Sequence, residues 1–168
     1  MNRKENTENA IIFAQKNHPH STFMNEAIFQ AQKALKKEEV PIGAVIVQNG
    51  KIISKGFNCR EKSQNAIKHA EIIAINKACK KLKSWRLENC ELYVTLEPCP
   101  MCAGAIANAR ICKVFFGAQE KTSNDNLCEK ILTSTRLNHK CEMIHLTEFD
   151  EPCSQLLTQF FKNRRKKN

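Results

Sequence analysis

The chain of 168 residues lacks the features that mark several other classes of protein. No apolar run approaches the roughly 20 residues that a membrane helix needs. The N-terminus does not resemble a signal peptide, because its apolar patch, AIIFA, is short and follows Glu5 and Glu8. There is no internal repeat and no linker rich in proline, glycine or serine. With a length usual for one domain, these absences predict a single globular domain and no membrane partner.

Disulfides are also not expected, although the chain has nine cysteines. The number is odd, the positions are scattered, and no export signal accompanies them. We therefore predict free thiols and a cytoplasmic protein. Only Cys99 and Cys102 stand at a spacing typical of a metal or redox site.

Acidic residues are fewer than basic ones, 17 against 27, which gives a net charge of +10. Five of the last seven residues are basic, and a second cluster of four lysines lies between positions 77 and 83. Such a distribution is typical of a protein that binds a polyanion. A solvated tail that keeps the protein in solution explains the charge equally well.

Periodicity predicts an α/β domain with one sheet covered on both faces, because helices alternate with strands. Residues 1–22 are predicted to be a flexible leader, and residues 23–168 a single domain that ends in a basic helix. Asn49-Gly50, between two apolar runs, predicts a hairpin. The other expected elements are helices over 23–38, from His69 onward, over 100–109, over 127–133 and from Pro152, with strands over 91–95, 113–117 and 142–147.

The stretch LEPCPMC holds the cysteine pair where a strand gives way to a helix. A C-x-x-C motif at a helix start suits thiol–disulfide exchange, because the helix dipole lowers a thiol pKa. It also suits a structural zinc, but that site needs four ligands. No second C-x-x-C or H-x-x-x-H pair is present, although a scattered cysteine such as Cys79 or Cys112 could complete the set.

The third interpretation is a catalytic zinc, which needs three ligands, an open position for water and a base beside that water. Cys99 and Cys102 lie on one face of a helix start. The triplet HAE, thirty residues before Cys99, supplies His69 as the third ligand. Glu71 follows two residues later, where it can border the open position without binding the metal. The combination of the two motifs favours the catalytic interpretation.

The spacing H-x-E…P-C-x-x-C is the signature of zinc deaminases, in which the glutamate is the general acid and base. The segments VPIGAVIV, GFN, HAEIIAI, LYVTLEPCPMCAGAI, ARICKVFFGA and FFKNRRKK extend the likeness. Over about 23–165, the chain resembles the bacterial tRNA-specific adenosine deaminases (TadA type) of the cytidine-deaminase-like zinc deaminase superfamily.

The resemblance implies a three-layer α-β-α fold with a single mixed central sheet. It implies one Zn2+ per chain on His69, Cys99 and Cys102, with Glu71 as the catalytic residue. It further implies a homodimer that converts adenosine to inosine at the wobble position, the first anticodon nucleotide of tRNA. By the same resemblance, Asn58 binds the target base, and Arg164 with its neighbour Arg165 contacts the anticodon arm.

Two alternatives to that activity remain. A zinc deaminase of free purine or pyrimidine bases or nucleosides, of the guanine or cytosine type, shares the zinc motifs and needs no basic tail. A nucleic-acid-binding protein with a structural zinc site is the other. In GAQEKTSNDN the loop that follows Gly117-Ala118 departs from the family pattern, since it has no glycine and carries Gln119 and Glu120 where an arginine–aspartate-like pair is usual. The departure concerns RNA recognition rather than the catalytic residues.

Overall fold

The computed structural model describes residues 20–120 and 126–166. Within these ranges the chain alternates between helices and strands, as the sequence predicts. The helices are α1 (Ser21–Lys36), α2 (Arg60–Ser63), α3 (Ala70–Leu82), α4 (Pro100–Asn108), α5 (Leu127–Leu132) and α6 (Asp150–Arg165). The strands are β1 (Gly43–Gln48), β2 (Lys51–Phe57), β3 (Cys90–Leu96), β4 (Lys113–Ala118) and β5 (Glu142–His145), and a 3-10 turn at Thr147–Phe149 precedes α6.

The described strands form one sheet in the order β2-β1-β3-β4-β5. Strand β1 pairs antiparallel with both β2 and β3, whereas β3, β4 and β5 are parallel to one another. Parallel neighbours need a crossover connection, and α4 and α5 lie in those connections. This mixed sheet confirms the predicted fold class.

The hairpin at Asn49-Gly50 is present as predicted. Gln48 and Lys51 are partners across β1 and β2, so the two residues between them make the whole turn. Asn49 has a φ of 51° and Gly50 a φ of 71°, and positive φ at both central residues is what a type I′ turn requires. This turn fixes the register of the pairs next to it, and the register shifts by one residue between Val47 and Ile46.

The sheet has a hydrophobic core on each face, because successive strand residues point to opposite sides. One core joins the sheet to α3, α4 and α5 through residues such as Ile46, Leu92 and Val114. The other joins it to α1 and α6 through Val45, Tyr93 and Phe115. The result is the three-layer arrangement that the resemblance implies.

Two glycines allow helices to lie directly on the sheet. A Cβ atom on Gly43 would come within 3.0 Å of the carbonyl oxygen of Ala27 in α1. A Cβ atom on Gly56 would come equally close to the carbonyl oxygen of Ala70, the first residue of α3. The hydroxyl of Ser54 also donates to the carbonyl of Ala74 at 2.7 Å, which ties α3 to β2. The start of α3 is therefore fixed by its contact with the sheet.

Some boundaries differ from those predicted. Helix α1 begins at Ser21 and ends at Lys36, in each case two residues earlier than expected, and Glu38 just beyond it has a φ of 60°. Strand β5 ends at His145 rather than 147, and α6 begins at Asp150. Helix α2 has no counterpart among the predicted elements. The predicted leader, apart from residues 20–22, lies outside the described residues, as do residues 121–125 of the departing loop.

All nine cysteines are free, as predicted. In the described part of the chain, no helix combines the length and the apolar character needed to cross a membrane.

Candidate metal and catalytic centre

Both metal-binding motifs begin at the same edge of the sheet. Strand β2 ends at Phe57 and β3 at Leu96, and β1, which pairs antiparallel with both, begins between these ends at Gly43. Helix α4 starts directly after β3, and α3 packs against β2. The two helix N-termini consequently lie beside each other, where backbone N–H groups and dipoles favour negative charge.

His69 and Cys99 are the N-cap residues of α3 and α4, and their backbones are nearly the same. His69 has φ −74° and ψ 157°, and Cys99 has φ −75° and ψ 167°, so both residues are extended. Neither side chain caps its own helix. Because they do not cap, both side chains are available to a shared site between the two helices.

The structure brings together the three predicted metal ligands. The Nδ1 atom of His69 lies 3.6 Å from the Sγ atoms of both Cys99 and Cys102. One donor atom from each residue falls within 4.8 Å of the other two. Cys102 is fully buried, while His69 and Cys99 are partly exposed. One imidazole and two thiols at these distances fit Zn2+, which prefers nitrogen and sulfur donors.

The protonation of these donors also favours a cation. The hydrogen bond with Cys102 lowers the pKa of the Cys99 thiol to about 4. The same hydrogen bond, and then burial, raises the pKa of Cys102. The hydrogen bond with Cys99 raises the pKa of His69. The pair of thiols therefore carries one negative charge readily, and a second thiolate requires a positive ion beside it.

Glu71 lies in the first turn of α3 and is only 3% exposed. Its Oε2 atom has no hydrogen-bond partner among the described residues, which is unusual for a buried carboxylate. Burial raises the pKa of this carboxyl group above its ordinary value. Its charge acts on both His69 and Cys102, so the carboxylate borders the ligand set. A carboxyl group with one unpartnered oxygen and a raised pKa, beside a candidate metal site, suits a general acid and base.

Asn58 is buried and connected to the same region. Its backbone N–H donates to the carbonyl of Ile42 at 3.0 Å. The next residue, Cys59, donates its N–H to the carbonyl of Lys68 at 3.1 Å, and Lys68 immediately precedes His69. Asn58 is therefore held beside the segment that carries His69.

Arg164 lies elsewhere, on the exposed side of α6. Its guanidinium is 5.7 Å from the centre of the Phe160 ring, which is buried, whereas Phe161 is 45% exposed. A groove of about 520 Å3 runs between α1 and α6, and its lining includes no metal ligand (Leu35, Glu38, Phe160, Asn163, Arg164 and Lys166). Arg164 therefore lines a groove that does not include the candidate metal ligands.

Sequence reasoning missed Glu39, which is completely buried and hydrogen-bonds Asn58. It stands next to the exposed Glu38 in a run of charged residues, and no pattern separates the two. Which one is buried depends on how the chain leaves α1. That turn was not predictable from composition or periodicity.

Comparison with known proteins gives the family. The sequence matches the MafB19-like deaminases over residues 18–165. It is 49% identical over 146 residues to the tRNA-specific adenosine deaminase of Bacillus subtilis, a match that covers 86% of this chain and 90% of that protein. The chain belongs to this deaminase family. The resemblance recognised in the sequence is thereby confirmed.

Solved structures agree with the assignment. A tRNA:A34 deaminase, studied for A-to-I editing at the wobble position of transfer RNA, aligns with a TM-score of 0.75 and 35% identity. The alignment covers 82% of this deaminase and 99% of that chain. The guanine deaminase of Bacillus subtilis aligns with a TM-score of 0.58 and 44% identity, over only 60% of this chain and 64% of its own. The more extensive likeness is to the enzyme that edits tRNA.

Proposed function

We propose that this protein is a zinc-dependent enzyme that hydrolyses adenosine to inosine at the wobble position of tRNA and releases ammonia. The observation that carries the proposal is the set of three donor atoms within 4.8 Å, beside a buried carboxylate with an unpartnered oxygen. Water and adenosine are the reactants, and inosine and ammonia are the products, so no redox partner is needed.

His69, Cys99 and Cys102 would hold one zinc ion per chain. Zinc held by these residues would supply a nucleophile at neutral pH, because zinc lowers the pKa of a bound water from 15.7 to about 7. Three protein ligands leave a position for that water, whereas a closed structural site would use four. Among the described residues, no fourth histidine, cysteine or carboxylate joins the group.

Glu71 would transfer the protons. It takes a proton from the attacking water and delivers it to a ring nitrogen of adenine. It then takes the remaining proton from the oxygen that has added to the ring carbon and passes it to the departing amine, which leaves as ammonia while that oxygen becomes the carbonyl of inosine. A carboxyl group whose pKa is raised by burial holds a proton more readily than an exposed one, as this relay requires.

Asn58 would bind the target base, because a primary amide offers both a donor and an acceptor to the edge of a purine. An enzyme that works on a base within RNA must take that base out of its stack. The buried amide beside the histidine segment is suited to receive it. Recognition by hydrogen bonds would distinguish adenine from bases with a different donor and acceptor pattern.

The basic surface would bind the anticodon arm. Arg164 lies in the groove between α1 and α6 together with Lys166, and both can contact phosphates. The net charge of +10 favours association with any polyanion and makes binding sensitive to salt. We further propose that the enzyme works in the cytoplasm as a homodimer, in line with the family resemblance.

The experiment uses an anticodon stem-loop with adenosine at the wobble position, and a matched stem-loop with guanosine there. Inosine and ammonia should form only with the first, should stop after treatment with a chelator, and should return with added zinc. Ammonia from free guanine or cytosine, without inosine in the RNA, would identify a deaminase of free bases. RNA binding and bound zinc without ammonia would identify a nucleic-acid-binding protein. Light scattering of the same sample measures the oligomeric state.

A further inference from the structure

Glu39 is a carboxylate with no exposed surface, in the turn that follows α1. Burial of a carboxylate is costly unless hydrogen bonds replace the water it loses. Its neighbour Glu38 is exposed, so the burial is particular to this one side chain. The partners of Glu39 therefore indicate why it is buried.

Two of its three hydrogen bonds are with the backbone of α2. Oε1 accepts the N–H of Lys62 at 2.7 Å, and Oε2 accepts the N–H of Glu61 at 3.2 Å. These are the second and third residues of α2, whose N–H groups an N-cap side chain usually satisfies. Cys59, the N-cap residue, makes no such bond, so Glu39 caps the helix from a distant part of the chain.

The third hydrogen bond is with the side chain of Asn58, whose Nδ2 donates to Oε2 of Glu39 at 3.4 Å. A carboxylate only accepts hydrogen bonds, so the amide group must turn its nitrogen toward Glu39. The positions of the Oδ1 and Nδ2 atoms of Asn58 are thereby fixed. The carbonyl oxygen and the second N–H remain available to hydrogen-bond another group.

The backbone on either side of Asn58 is also fixed. Its own N–H is bonded to Ile42, and the N–H of Cys59 is bonded to Lys68, beside the ligand His69. Only the side-chain amide of Asn58 could still rotate, and its hydrogen bond to Glu39 prevents that rotation. An amide held in one orientation presents its donor and acceptor without a cost in entropy when the base binds.

We propose that Glu39 is a positioning residue for base recognition: it holds the amide of Asn58 in one orientation while it caps α2. The proposal rests on the function proposed above, in which Asn58 binds the base. Glu39 itself need not touch the substrate. It acts through Asn58, and its effect should disappear when that amide is absent.

The test is a double-mutant cycle with the wobble-adenosine stem-loop. Glu39→Gln keeps the shape of the side chain but replaces an acceptor oxygen with a donor, so Asn58 is free to turn over. Glu39→Gln and Asn58→Ala should each lower kcat/KM by about 10- to 100-fold, the effect of losing a hydrogen bond to a charged group. The double variant should be no worse than Asn58→Ala alone. Additive losses would overturn the proposal.

A matched control is Glu61→Gln, which removes the same charge from α2 but alters an exposed side chain. It should keep kcat/KM within about twofold, because its backbone N–H still donates to Glu39. Zinc content should be unchanged in all the variants, since none alters a ligand. A Glu39→Gln protein that loses its zinc would show instead that Glu39 maintains the fold of the site.

A second measurement is independent of activity and of whether Glu39→Gln folds. In wild-type protein the side-chain NH2 of Asn58, identified by its loss in Asn58→Ala, should exchange slowly with solvent and resonate away from free amides. A rapidly exchanging signal at the free-amide position would overturn the proposal. If wild-type protein makes no inosine while this amide is protected, the proposed reaction fails and the Glu39–Asn58 contact stands.

Discussion

The Nδ1 atom of His69, the N-cap residue of α3, lies 3.6 Å from the Sγ atom of Cys102 in α4. The distance is too short for any other side chain to lie between them. It places the imidazole of α3 and the buried thiol of α4 at one point. The first two predictions concern the metal and the reaction at this site.

Cys102→Ser should abolish stable zinc binding, because a hydroxyl is a far weaker zinc ligand than a thiolate. The metal content should fall from one zinc per chain to near zero, as measured by atomic absorption after dialysis. Cys112→Ser is the control, since that thiol lies outside the ligand group and bonds to the carbonyl of Cys90. One zinc per chain in Cys102→Ser would contradict the assignment of this ligand.

Glu71→Gln should keep its zinc and lose turnover. Gln has nearly the same shape, and Glu71 is not among the three donors. General acid–base catalysis contributes about 10²- to 10⁴-fold, so kcat should fall by at least about 100-fold. Inosine formation and zinc content are measured on the same sample, with the exposed Glu88→Gln as the control. Normal turnover in Glu71→Gln would remove Glu71 from the mechanism.

Arg164→Ala should weaken RNA binding and reduce its dependence on salt. Loss of one phosphate contact lowers the slope of log K against log[salt] by about 1. Arg136→Ala removes the same charge after α5, in the opposite helix layer, and should leave the slope as it is. The measurement is a salt titration of stem-loop binding. Equal slopes for wild type and Arg164→Ala would show that the groove does not bind phosphate.

Gly56→Ala should disturb the candidate metal site through the contact between β2 and α3. The added Cβ would collide with the backbone of Ala70 and push the start of α3, which carries His69 and Glu71, away from the sheet. Zinc affinity should fall, and unfolding should become easier by about 1–3 kcal/mol, the usual cost of overpacking. The control is Gly104→Ala in α4, where a Cβ meets nothing within 4 Å. Unaltered zinc affinity in Gly56→Ala would contradict this, because it would show that the contact with Gly56 does not fix the position of His69.

Tyr93 should resist ionisation until the protein unfolds. Burial, and then the charge of Glu91, raises the pKa of its hydroxyl above the ordinary value of about 10. The folded state therefore holds this proton more tightly than the unfolded chain does. Stability is fully present below about pH 10 and falls as the pH rises further.

Optical titration can follow this group alone, because the chain has one tyrosine. Tyrosinate absorbance should rise together with loss of the folded circular dichroism signal. Tyr93→Phe should delay alkaline unfolding. A tyrosinate signal that develops near pH 10 in folded protein would show that the hydroxyl is open to solvent.

The sequence predicted the group of His69, Cys99 and Cys102 and most of the helices and strands, because the signals for them are local. A hairpin dipeptide, helical periodicity and two short motifs each lie within a few residues. The partners of Glu39 are not local, since Asn58 and α2 come about twenty residues later. Helix α2 was missed for the same reason: its four residues carry no apolar period, and its cap comes from α1's end. The strand order likewise depends on pairings that no local pattern encodes.

A metal ion bound by His69, Cys99 and Cys102 would also affect the stability of the fold. An ion held by His69 and Cys99 would close a segment of about 30 residues, which contains α3 and the central strand β3. By the chain-entropy estimate for a cross-link, closing such a loop lowers the conformational entropy of the unfolded chain. The corresponding contribution to the free energy of unfolding is on the order of 3–4 kcal/mol. A catalytic metal at the ends of the strands would thus also stabilise β3, the central strand of the sheet.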